Sequence, residues 1–148
     1  MRSFSIAILA AALVLTVTSV YGAIESHIGI VKSLSGEVII DRRGSIIKAV
    51  PNLRLLEGDV VQTGQNGKAG LILEDDSVIS MGLNSRIVIK SYMFKPNEMK
   101  MSFITRVIQG TVSYLSGQIA KLAPNRVSIE TPYATVGVRG THVLIQVD

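Results

Sequence analysis

The chain contains no cysteine and no tryptophan. Without cysteine there is no disulfide to staple an exported domain, no thiolate nucleophile and no thiolate metal ligand, so stability must come from a buried core. Aromatics make up only 5% of the residues, and the basic side chains, such as Lys32, Arg54, Lys68 and Arg86, are scattered rather than interleaved with aromatic ones. A nucleic-acid surface needs a basic stripe or a stacking platform, and neither is written here. His27 and His142 are the only histidines. Neither has a second histidine one helical turn away or a carboxylate at metal-ligand spacing. No Gly-x-Ser-x-Gly elbow occurs, and Ser113-Tyr114-Leu115-Ser116 fits no nucleophile pattern. The expectation is therefore a protein that is not an enzyme, with no cofactor, no metal, no nucleic-acid partner and no obligatory small-molecule ligand.

What is present begins with a targeting pattern. Arg2 supplies a positive charge, residues 4–17 are almost wholly apolar, and Val20-Tyr21-Gly22 ends in a small residue ahead of Ala23. That is the layout of a secretory signal peptide over residues 1–22, cleaved near Gly22–Ala23. Its apolar core is about 14 residues, short of the roughly 20 that span a bilayer. Retention as an N-terminal anchor is the alternative, and only then does the chain meet a membrane. The remaining residues, 23–148, are expected to form one domain in the periplasm or cell envelope, long enough to bury a core. Removing Arg2 leaves 14 basic against 11 acidic side chains, a mildly positive surface.

Beyond residue 23 the sequence alternates short β-branched runs with Gly, Asn, Asp and Pro. Strands are expected at 28–33, 36–42, 45–50, 60–63, 68–74, 78–81 and 86–92. Met99, Met101, Phe103, Thr105 and Val107 then alternate with polar neighbours, predicting a strand to Ile108, and Gly110-Thr111-Val112 opens another. Tyr114 to Leu122 reads as strand in preference to a short helix: Leu115, Ile119 and Leu122 have helical spacing, but Gly117 interrupts them. Residues 126–131, 135–138 and 141–147 close the chain. Gly29-Ile30-Val31, Gly36-Glu37-Val38 and Gly110-Thr111-Val112 share a Gly-x-Val form without a fixed period. The fold class is all-β, with an irregular solenoid, a roll or a sandwich open on this pattern.

The end of the chain is its most specific part. Thr131-Pro132-Tyr133-Ala134-Thr135-Val136-Gly137-Val138-Arg139-Gly140-Thr141-His142-Val143 resembles the closing motif of the FecR family, a T-P-x-A-x-x-x-V-R-G-T-x-(V/F) run. Leu56-Glu57-Gly58-Asp59-Val60-Val61-Gln62-Thr63-Gly64 is similar to the family's L-x-x-G-D-x-(V/I)-x-T-G. Gly67 to Met81 resembles its strand–turn–strand block, with Asp76 where the family has glycine, so a left-handed aspartate is expected there. Ile30 through Val38 resembles its opening strand. The resemblance implies a twisted β-solenoid-like stack of short strands. It also implies family-motif roles, structural rather than chemical, for Gly58, Asp59, Thr63, Gly64, Thr131, Pro132, Ala134, Val138, Arg139, Gly140 and Thr141. The best-known members join a cytoplasmic anti-sigma segment, a membrane helix and a periplasmic domain. With the apolar run starting at Phe4, the resemblance implies only the sensing or interaction domain.

Three sites merit structural readings. Asp59 follows Gly58 and is expected to accept backbone N–H bonds in a turn. Glu74-Asp75-Asp76 is expected to be a solvated turn rather than a cation site. Arg139 is expected to lock the last strands by pairing with Glu130, Asp59 or Asp75, the alternative being a handle for a partner's carboxylate. The function expected is a non-catalytic interaction or signalling module that engages another envelope protein, with a sigma-factor or iron-uptake setting as one possibility. The alternative is a structural or carbohydrate-associated scaffold; the few aromatics argue mildly against sugar stacking.

Overall fold

A computed structural model describes residues 26–148, so the expected signal segment and its cleavage point lie outside the described residues. The described chain is all-β apart from one short helix and two 3₁₀ turns. In chain order the strands are β1 (Gly29–Ser35), β2 (Val38–Arg42), β3 (Ser45–Lys48), β4 (Arg54–Leu55), β5 (Val60–Thr63), β6 (Lys68–Leu73), β7 (Val78–Met81), β8 (Arg86–Lys95) and β9 (Lys100–Leu115). The helix α1 (Gln118–Leu122) follows, then β10 (Val127–Glu130), β11 (Thr135–Gly137) and β12 (His142–Val147). All twelve strands join one sheet, ordered β3-β2-β5-β8-β9-β7-β6-β1-β4 along its main path, with β10 and β12 also on β9 and β11 on β10. The sheet curls into a half-barrel.

Pairing is antiparallel everywhere except between β9 and β10. Successive coils of a solenoid stack in parallel. Here β2 with β3, β6 with β7, β8 with β9 and β10 with β11 are hairpins of consecutive strands. The other pairings join strands apart in sequence, all within a single curled sheet, and the expected solenoid-like stack is not shown. The three Gly-x-Val phrases accordingly occupy unlike places: Gly29 starts β1, Gly36 precedes β2 and Gly110 lies inside β9.

β9 organises the sheet, and it corrects two expectations. The runs ending at Ile108 and starting at Gly110 are one 16-residue strand. Its first half pairs with β8 and β10, and its second half with β7 and β12. Gly110 has φ +93, and a Cβ there would stand 2.5 Å from the Ser85 Cα. A glycine lets the strand bend at that close approach without losing its pairing. Across the bend the inward set switches from Met101, Phe103, Thr105 and Val107 to Val112 and Tyr114. Met99, expected to extend this alternation, lies outside the strand and is 80% exposed.

The inward set carries the core. Phe103 stacks on Tyr114 with ring centroids 5.8 Å apart and meets Tyr92 edge-on at 5.7 Å. Around these rings pack the fully buried Ile40, Leu55, Leu71, Ile79, Ile87, Ile89 and Ile129. An aliphatic and aromatic core of this extent replaces the missing disulfides.

A further correction is α1. Tyr114 and Leu115 end β9, but Gln118 to Leu122 is helical. The physical reason is Gly117, whose presence spoke against a helix. A Cβ at Gly117 would lie 2.3 Å from the Asp75 carbonyl oxygen and 2.4 Å from the Ser77 nitrogen. The glycine allows the helix start to press against the turn between β6 and β7, and Ile119 becomes fully buried behind it.

Candidate interaction site

Two of the sequence-marked acidic residues are buried and internally satisfied. Asp59 is 1% exposed; its carboxyl accepts from the Leu56 N–H at 2.9 Å and from Arg42 through Nε at 2.9 Å and a terminal nitrogen at 2.8 Å. Arg42 also donates to the Arg54 carbonyl at 2.8 Å. The expected backbone-capping role is present, and a two-pronged arginine contact reaches it from β2. Thr63 ties neighbouring turns together: its hydroxyl donates to the Gly82 carbonyl at 2.7 Å and accepts from the Ser85 N–H at 2.8 Å. Gly58 and Gly64 donate backbone hydrogen bonds to the Ile89 and Glu37 carbonyls.

Asp75 overturns the expected solvated turn, because it is fully buried. One carboxyl oxygen accepts from the Ser77 hydroxyl at 2.7 Å and the Tyr92 hydroxyl at 3.0 Å; the other accepts from the Ile119 N–H at 3.2 Å. The Asp75 N–H donates to the Tyr92 oxygen at 2.8 Å, and its carbonyl accepts from the Gln118 N–H at 2.7 Å. Asp75 thus caps α1 from a distant turn. Burial, then the Asp75 charge, pushes the Tyr92 phenol well above its ordinary range. Tyr114 lies beside this network, with burial and then Asp75 raising it to about 12. Gly117 and Ser77 are near enough to its hydroxyl to oppose that rise, but no group among the described residues meets it in hydrogen-bond geometry. Asp76 has the left-handed conformation expected of it, at φ 65.

Both histidines have partners that their sequence neighbourhoods did not reveal. His27 Nε2 lies 2.8 Å from Glu74 Oε1. His142 Nε2 lies 2.6 Å from the Ser113 hydroxyl, an exposed cross-strand contact between β12 and β9. Hydroxyl and imidazole at that distance form part of a nucleophile arrangement, but such a base is held by a third group. Among the described residues no carboxylate is hydrogen-bonded to His142, and the pair lies on the open sheet face. No group of three or more His, Cys, Asp or Glu that could hold a metal occurs among the described residues.

The closing run is arranged differently. The Thr131 hydroxyl accepts from the Ala134 N–H at 3.0 Å, and the Thr131 N–H donates to the Ala134 carbonyl at 2.8 Å. That local turn holds Pro132, Tyr133 and Ala134 at the surface, with Tyr133 83% exposed. Val138 points inward and is buried, while the Gly140 and Thr141 carbonyls accept from the Ser116 hydroxyl and N–H. Arg139 is exposed, and among the described residues its side chain makes no hydrogen bond or ion pair. All three expected partners are engaged elsewhere: Asp59 by Arg42, Asp75 by Ser77 and Tyr92, and Glu130 by Lys90 at 2.9 Å and Arg106 at 3.8 Å. Arg139 instead borders a cleft of about 790 Å³. The cleft is lined by residues of α1, the Pro124–Arg126 turn, β10, β11 and the Val138–Gly140 loop.

The described chain is thus an all-β domain whose inner polar residues hold the fold and whose C-terminal run faces outward beside a cleft. The chain belongs to the FecR family: the family model described as FecR protein matches residues 59–148, more than half of the sequence. The match opens at Asp59 and includes the closing run, with β1 to β4 preceding it. No curated protein and no solved structure matches the chain. No described helix is long and apolar enough to cross a membrane.

Proposed function

We propose that this chain is a non-catalytic interaction module of the bacterial cell envelope, exported by its N-terminal segment and engaging another envelope protein, as a sensing or signalling domain does. The FecR family is a regulatory one, typically associated with the envelope. The observation that carries the reading is the contrast within the family pattern. Its inner motifs are consumed by the fold, whereas Tyr133 and Arg139 in the closing run stand exposed with no internal work to do. Exposed aromatic and arginine side chains are the types that anchor protein interfaces. A sigma-factor or iron-uptake circuit is one setting consistent with the family. A second reading, a carbohydrate-associated scaffold, draws on Tyr133 alone, since an exposed ring can also stack on a sugar.

Site-specific photo-crosslinking at Tyr133 in intact cells tests both. A discrete protein adduct is expected. An adduct with envelope polysaccharide would establish the scaffold reading instead, and the absence of any adduct would remove the interaction reading at this surface. N-terminal sequencing of the envelope product should find a start near Ala23; an intact Met1 in the membrane fraction would make residues 1–22 an anchor.

A further inference from the structure

The cleft beside Arg139 has a consistent chemistry. Its floor is apolar where Val127 and Val138 are buried, and Ala120 of α1 adds to it. Asn125, Ser128 and Thr135 supply polar atoms along the walls. Among the described residues Arg139 is the one charged residue lining it, and no acidic side chain does. Lys121 and Arg126, next to the lining residues Ala120 and Asn125, are exposed and add positive charge at the rim. The nearest carboxyl on β10, Glu130, is held by Lys90 and Arg106; the Lys90 hydrogen bond keeps it below its ordinary range. β11 borders the cleft and among the described strands pairs only with β10, so its other edge has no strand on its N–H and C=O groups. An unpaired guanidinium over an apolar floor, next to a free strand edge, matches an extended chain carrying an acidic side chain.

We propose that this cleft is a peptide-recognition site: it takes an extended segment of a partner protein, with an aspartate or glutamate of that segment on the Arg139 guanidinium and a neighbouring apolar side chain over Val127 and Val138. The proposal rests on the reading of the chain as an interaction module and names the chemistry its partner presents. The volume, about 790 Å³, lies within the range of sites that enclose a ligand. The planar fork of arginine fits a carboxylate in two places at once, which a lysine cannot reproduce.

The test uses the exported chain recovered from the cell envelope. It is screened against a displayed library of random twelve-residue peptides whose C-termini are fused, so that any carboxylate read is a side chain. Enriched peptides are synthesised with amidated ends and measured by calorimetry. The selected sequences should share an acidic residue. Arg139→Gln should weaken them roughly 10- to 100-fold, the value of losing a hydrogen bond to a charged group, with no change in melting temperature. Replacing the peptide's acid by its amide should cost the same in the native chain and nothing further in the variant. Equal affinity for Arg139→Gln, or enriched peptides without a shared acid, would overturn the cleft assignment while leaving the interaction reading intact. A screen that enriches nothing would also overturn it, and crosslinking at Tyr133 then decides the interaction reading on its own.

Discussion

Glu74-Asp75-Asp76 and the run from Thr131 to Val143 part company in the fold. From the sequence, the first is expected to be a solvated turn and Arg139, in the second, an internal lock on the last strands. Asp75 is fully buried, and its carboxyl gathers the Ser77 hydroxyl, the Tyr92 hydroxyl and the first turn of α1. Arg139 is exposed and its guanidinium gathers nothing among the described residues. Both belong to the stretch that the family model matches. A buried polar residue with every bond made is explained by folding, because leaving it unpaired is costly. An exposed residue at a cleft, unpaired among the described residues and not part of the core, is not required by folding and is open to the partner proposed for it. The inner motifs therefore account for the fold, and the closing run is where the proposed reading is tested.

The largest effects should come from the Asp75 junction. Asp75→Ala leaves the Ser77 and Tyr92 hydroxyls and the Ile119 N–H buried without an acceptor, at about 1–3 kcal/mol each. A loss of roughly 3–5 kcal/mol in urea titration is expected, enough to unfold a marginal domain. Gly117→Ala drives a Cβ into the Asp75 and Ser77 backbone and should cost about 2–4 kcal/mol, with α1 released first in hydrogen exchange. A cost under about 1 kcal/mol for both would erase the distinction between the two regions. Asp59→Ala follows, since it removes the two-pronged carboxylate contact of the part-buried Arg42 and the acceptor of the Leu56 N–H; about 2–3 kcal/mol is expected.

The two buried tyrosines sharpen the comparison from inside the core. Tyr92 bridges to Asp75, whereas no group among the described residues meets the Tyr114 hydroxyl in hydrogen-bond geometry. Tyr92→Phe should cost about 1–2 kcal/mol, and Tyr114→Phe should be neutral or stabilising. Both phenols are raised above the unfolded value of 10.0. Their contribution is thus full below pH 10.0 and lost as pH rises through the higher folded values. Chemical denaturation between pH 9 and 12 should show falling stability in the native chain, with a shallower fall in either Phe variant. An alkaline limb unchanged by both substitutions would show that neither ring is as enclosed as the fold has it.

Much of the sheet is legible in the sequence. β5, β7 and most other strands follow period-two patterns bounded by turn residues, because each strand has one buried and one open face. The left-handed Asp76 is also legible, from its place in a tight turn. What escapes is set by contacts distant in sequence. Gly117 counts against a helix locally, yet Asp75, forty-odd positions earlier, requires the glycine and caps the helix. Gly110 looks like a strand start because the bend it permits reverses the inward parity of β9. The contacts of His27 with Glu74 and of Ser113 with His142 depend on strand register, which no spacing rule reveals. Arg139 stands out by its motif, but that Asp59, Asp75 and Glu130 are each engaged by other groups is settled by the fold and not by spacing.

The smallest expected effect on folding is the most discriminating. Arg139→Lys keeps the charge and removes the planar fork. Were Arg139 a lock on the closing strands, losing its hydrogen bonds would lower stability by roughly 1–3 kcal/mol. Its exposure, and the engagement of Glu130, Asp59 and Asp75 elsewhere, leave no such bonds to lose. The melt should therefore stay within about 0.5 kcal/mol of the native chain, as for other surface substitutions. Asp75→Ala, measured alongside, fixes the scale of a true internal lock. Binding should move the other way: a lysine at the cleft retains long-range attraction but loses the two-pronged contact, so affinity for acidic peptides should fall while the fold is untouched. A clear drop in melting temperature for Arg139→Lys would place Arg139 with Asp75 as a fold residue and dissolve the contrast between the two regions.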